Sequence, residues 1–100
     1  MGFVKTLFNK KASIEYLSDI INRDLQIAQK SIAFSNVELI AKCLRDIKKA
    51  YCVLDEAVQS LGHDDKMLLK IKWLDGSSID YSTWNVLLQA ELLSFGIQIF

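Results

Sequence analysis

The sequence predicts a mainly α fold, in which an antiparallel hairpin of two long helices is joined to a C-terminal helical unit to make a small helical bundle. Three observations carry this. The chain has no proline and four glycines in 100 residues, so little interrupts a helix. Hydrophobic residues make up 51% of it, which at this length suits one modest core. Apolar residues also recur every three or four positions through most of the chain. An α+β alternative, with a β-hairpin near 69–81, attaches to the last third. The predicted organisation is an amphipathic N-terminal arm over 1–11 and one helical domain over 12–100.

In the arm, Phe3, Val4, Leu7 and Phe8 follow helical spacing among Lys5, Lys10 and Lys11. A helix is predicted over 13–34, with Ser13 at its cap and Glu15 in the first turn, where the helix dipole favours an acid. Its inward stripe reads Ile14, Leu17, Ile21, Leu25, Ala28 and Ile32, widened by Tyr16, Ile20, Ile27 and Phe34.

The clearest pattern spans 37–61. Ser35 and Glu38 have capping-box spacing, and Val37, Ile40, Leu44, Ile47, Tyr51, Leu54, Val58 and Leu61 then alternate by three and four. That is the a/d pattern of a coiled-coil seam. Gly62 is placed as the left-handed terminator. A link of two or three residues makes the two helices antiparallel neighbours.

Residues 66–74 fit two periods. As a helix they present Met67, Leu68, Ile71 and Leu74. As a strand they present Leu69, Ile71 and Trp73 on one side, with Lys70 and Lys72 on the other. Asp75-Gly76 is a turn signal, and Ile79 and Tyr81 alternate after it. Asp64 and Asp65 are good helix-start residues, and a lone hairpin needs cover for its apolar face, so helix is the preferred reading. A last helix is predicted over 83–95, with Trp84, Leu87, Leu88 and Leu92 inward and Gly96 as terminator. Ile97 to Phe100 either tuck into the core or pair as a short strand.

Function is read first from what the chain lacks. Twelve basic residues balance twelve acidic ones, so no general affinity for nucleic acid is implied. With no net charge to oppose it, self-association into a homo-oligomer is expected. Cys43 and Cys52 stand nine residues apart in one predicted helix, about 13–14 Å along its axis. That is too far for a disulfide, so reduced thiols and a cytoplasmic location are expected. Charged residues interrupt every apolar run before it reaches membrane-spanning length.

The single histidine, His63, stands beside Asp64 and Asp65 without further metal-ligand spacing. Cys43 has no identifiable base, and Asp55 and Glu56 read as a solvated helix face. There is no phosphate loop and no nucleophile-elbow motif. The expectation is a non-enzyme without cofactor or metal.

Three binding readings remain. The leading one is a protein–protein interaction module of adaptor, regulator or immunity type. It uses an exposed part of the second helix or the aromatics Trp73, Tyr81 and Trp84, whose alternative role is core filling. The second is a nucleic-acid-binding regulator using Lys42, Arg45, Lys48 and Lys49, extended by Lys70 and Lys72 if the fold allows. The third is a membrane-peripheral protein held by Phe3, Val4, Lys5, Leu7, Phe8, Lys10 and Lys11. Met1-Gly2 and Thr6 there also fit the permissive N-acylation pattern.

Overall fold

The computed structural model describes residues 2–96, with side chains from residue 10 onward. Six elements follow in order: α1 (Gly2–Ile32), α2 (Val37–Gln59), α3 (His63–Leu68), β1 (Lys70–Lys72), β2 (Ser78–Asp80) and α4 (Tyr81–Leu93). The fold is mostly helical as predicted, with the long antiparallel helix pair followed by a C-terminal helix, and it includes the short hairpin of the alternative reading.

Helix α1 is longer than expected. Ser13 is not its cap, because the helix is already running from Gly2, and neither proline nor an internal glycine separates the two segments. At about 1.5 Å per residue its 31 residues span roughly 46 Å, close to the 50 Å long axis of the molecule. Ile14, Ile21, Leu25 and Ala28 form its buried stripe, at 1% exposure or less. Ile32, Tyr16 and Phe34, expected inward, are exposed instead.

The reversal from α1 to α2 is built by local hydrogen bonds. Asn36 N donates to Ser31 O at 3.2 Å and Ser35 N to Ile32 O at 3.0 Å. Ser35 takes a positive φ of 54°, so it closes α1 and is not available as the cap of α2. That role falls to Asn36, whose Oδ1 accepts from Leu39 N at 3.2 Å. Along α2 the residues from Leu44 to Val58 in the predicted stripe are buried, Ile40 is half-buried and Val37 is exposed.

Gly62 does not terminate α2 by a left-handed turn. Its φ is −64°, and it stands at the start of α3. Ser60 closes α2, its amide donating to Glu56 O at 3.1 Å while the Leu61 amide donates to Val58 O at 3.0 Å.

Over 66–74 the helix reading gives way to the hairpin. Helix α3 lasts six residues, leaving Met67 and Leu68 exposed. The chain then pairs antiparallel, with Lys70 opposite Asp80, Ile71 opposite Ile79 and Lys72 opposite Ser78. The alternation is the strand pattern, since Leu69 and Ile71 are buried while Lys70 and Lys72 face solvent. Two features decide the outcome. In the turn, Gly76 adopts φ +88°, and Asp75 Oδ1 accepts from Ser77 N at 2.9 Å and Ser77 Oγ at 2.6 Å. The cover a lone hairpin needs comes from α1, where Asn22 Nδ2 donates to Lys72 O at 2.7 Å.

Strand β2 runs directly into α4. Asp80 caps the helix, Oδ2 accepting from Thr83 N and Oδ1 from Thr83 Oγ1, so the helix begins at Tyr81, two residues before the expected start. The core gathers α1, α2, the hairpin and α4 around Trp84, Leu88 and Leu92. Gly96 has φ +80°, as its placement at the end of the last helix predicted. The proposed tuck or strand over Ile97 to Phe100 lies outside the described residues.

One buried charge has a measurable consequence. Asp24 is 7% exposed, and burial holds its carboxyl above the usual value against the pull of Arg23, 3.8 Å away. A carboxyl raised in this way destabilises the fold once ionised, and the penalty vanishes below the unfolded pKa of about 3.9. Asp24→Asn is therefore expected to raise the melting temperature by roughly 2–5 °C at pH 7. The gain should shrink towards zero as pH falls below about 4. Thermal melts across that range check it, and a less stable variant at pH 7 would contradict it.

Candidate interaction surface

The tip of the helix pair carries apolar side chains that the turn does not require. Ser35 and Asn36 meet its backbone demands, yet Phe34 is 82%, Val37 73% and Ile32 56% exposed, with Leu39 at the edge of exposure. Exposed apolar side chains grouped at one end of a fold mark contact sites more often than scattered ones do. Helix α4 ends on the same side, where Gln29 Nε2 donates to Glu91 Oε2 at 2.8 Å. Leu93 is also exposed in that last turn of α4.

The solvent face of α2 follows from its buried face. With Ile47, Leu54 and Val58 inward, the opposite meridian reads Glu38, Lys42, Arg45, Lys49, Cys52 and Glu56, spaced by four and three. All six are exposed, and Lys48 is exposed beside them. Among the described residues, none of Lys42, Arg45, Lys48 and Lys49 has a carboxylate oxygen within 4 Å. Asp46 is half-buried and turned towards Asp24 and Cys43, whose thiol is pushed up by burial first and then by those two acids.

Lys70 and Lys72 do not extend this face. Asn22 of α1 reaches the hairpin while Asp24 faces α2, and two residues turn a helix by about 200°. The two lysines instead border a groove of about 330 Å³ between α1 and β1, with Lys11, Glu15 and Asp19.

The aromatic residues divide. Trp84 is fully buried, Tyr81 is 8% exposed and Trp73 is half-buried against the core. Trp84 stacks against Tyr51 at 6.3 Å and against Tyr81 at 6.0 Å between ring centroids. Tyr81 Oη donates to Asp55 Oδ1 at 2.6 Å and also meets the Tyr51 hydroxyl and the Asn85 side chain. Asp55, expected on a solvated face, is half-buried and also accepts from Gln59 Nε2 at 3.3 Å. Lys66 Nζ continues the chain to Gln59 Oε1 at 2.9 Å. Burial, and then the bond to Asp55, drive the Tyr81 hydroxyl far above its ordinary value. It stays protonated and ties α4 to α2. Tyr51 and Asp55 were not singled out for this role from sequence, because their partner Tyr81 lies 26 or more residues further along the chain.

His63 opens α3 in an exposed position, and Asp65 beside it pairs with Lys11 at 3.8 Å. Among the described residues no three His, Cys, Asp or Glu side chains converge as metal ligands. Of the arm residues, Lys10 Nζ donates to Ser60 O at 3.4 Å. The side chains of Phe3, Val4, Lys5, Leu7 and Phe8 lie outside the described residues. No described helix is long and apolar enough to cross a membrane. Cys43 is buried, Cys52 is exposed and both are free.

Compared with protein-family models, with curated proteins and with solved structures, the chain matches none.

Proposed function

We propose that this protein is a small, non-catalytic interaction module, of adaptor, regulator or immunity type, that docks a protein partner at the tip of its helix pair. The observation that carries the proposal is the exposure of Phe34, Val37 and Ile32 around a turn whose geometry needs none of them. Burying an exposed apolar side chain stabilises a complex by roughly 1.5–3 kcal/mol, and rigid aromatic anchors commonly dominate such contacts. Two free thiols suit a reducing, cytoplasmic compartment.

The test places a photo-crosslinking amino acid at position 34 or 37, and at the exposed Gln26 as a control, in the cells that make the protein. A discrete protein adduct at 34 and 37, and none at 26, is expected. An adduct of twice the chain's own mass identifies a second copy as the partner. Absence of adducts, or equal adducts at all three positions, would overturn the proposal.

Attachment to a membrane through the arm remains a separate proposal, tested by liposome binding before and after deletion of residues 1–11. Unchanged binding removes it.

A further inference from the structure

We infer that the outward face of α2 is a second docking surface, and that its partner is an acidic helix of a different protein. The argument begins with the order of charges. Along the exposed meridian the sequence is acid, base, base, base, Cys52, acid, from Glu38 to Glu56. Lys42 to Lys49 cover about 10 Å of helix, and the two terminal glutamates are about 27 Å apart. The cations are not consumed within the fold, since among the described residues none is ion-paired.

A second copy does not fit the whole length of this face. In an antiparallel pairing centred on the stripe, Glu38 meets Glu56 and Arg45 meets Lys49. In a parallel one, each residue meets itself. Both arrangements set like charges against each other.

A nucleic-acid backbone fits poorly as well. Its phosphates continue at regular intervals beyond the 10 Å basic segment and run onto a glutamate at either end. Lys70 and Lys72, which would have to widen the track, stand on the hairpin side of α1.

A short acidic helix meets both conditions. Carboxylates at i, i+3 or i+4, and i+7 reach Lys42, Arg45 and Lys49, while bases one or two turns outside them reach Glu38 and Glu56. Exposed ion pairs are individually weak, so an apolar margin matters. Leu39 and Val53 supply it, fourteen residues apart on the same side of the stripe and both exposed. Leu39 borders both this face and the tip, and the two surfaces are told apart by substitutions that each alter one alone, Phe34 at the tip and the three cations here.

Phage-displayed random peptides selected on the full chain test it. The expected result is enrichment of helical sequences with Asp or Glu at i, i+3 or i+4, and i+7. These should bind the Lys42→Glu, Arg45→Glu, Lys49→Glu triple variant about tenfold or more weakly, and lose affinity as salt rises. All three side chains are exposed, so the variant should melt close to the parent, and Phe34→Ser should leave peptide binding unchanged. No enrichment, enrichment of basic or uncharged peptides, or equal binding to the triple variant overturns the inference. So does tighter binding of a fluorescein-labelled mixed-sequence DNA duplex than of the selected peptides. Loss of crosslinking at position 34 alone bears on the tip and leaves this result standing.

Discussion

Replacing Trp84 with alanine is expected to destabilise the protein by about 3–5 kcal/mol, the range for emptying a buried aromatic site. Domains of this size are stable by roughly 5–15 kcal/mol, so the variant should lose a large share of that stability and melt well below the parent. Trp84 has no exposed surface, and its ring stacks against those of both Tyr51 and Tyr81. Its loss removes the stack that joins α2 to α4 and leaves a space that three helices and a hairpin cannot close without shifting. Trp84→Phe should cost clearly less. It keeps most of the ring contacts and discards the indole N–H, which is buried without a protein partner. Urea or thermal unfolding of both variants measures the difference. An alanine variant within about 1 kcal/mol of the parent would mean that the stack is peripheral to the core.

The helix pair was legible because its inward residues sit close together in sequence at a spacing only a helix uses. Its ends were not, because caps are a local competition. Ser35 has capping-box spacing to Glu38, yet closing α1 puts Ser35 at positive φ and hands the cap to Asn36. The hairpin was undecided for a different reason. Ile71 satisfies both periods, and the turn at Asp75-Gly76 needs the cover that α1 brings, with Asn22, fifty residues earlier, bonding to the Lys72 carbonyl. Such a contact has no local signature. The basic residues of α2 were visible as a group, but the acid–base–acid order of the outward meridian has meaning only once the buried face is known. The tip was the least legible feature. Ile32, Phe34 and Val37 extend the periodic stripes of their helices, and periodicity alone cannot tell where the neighbouring helix stops covering them.

That last distinction gives a second strong prediction. Leu54 and Val37 belong to one stripe in the sequence, yet Leu54 is fully buried and Val37 is 73% exposed. Leu54→Ala should cost about 2–5 kcal/mol, since it removes three buried carbons at the level where Tyr51, Asp55 and Val58 hold α2 in the core. Val37→Ala should cost no more than about 0.5 kcal/mol, because little of that side chain is removed from water on folding. Leu44, 9% exposed and closer to the open end, should fall between them. Equilibrium unfolding of the three variants therefore traces where α1 and α4 stop covering α2. If Val37→Ala were as damaging as Leu54→Ala, the tip would be packed within the monomer, and the surface proposed for the partner would not exist. If Val37→Ala is silent in unfolding but lowers the yield of the crosslink at position 34, the side chain acts only in the complex.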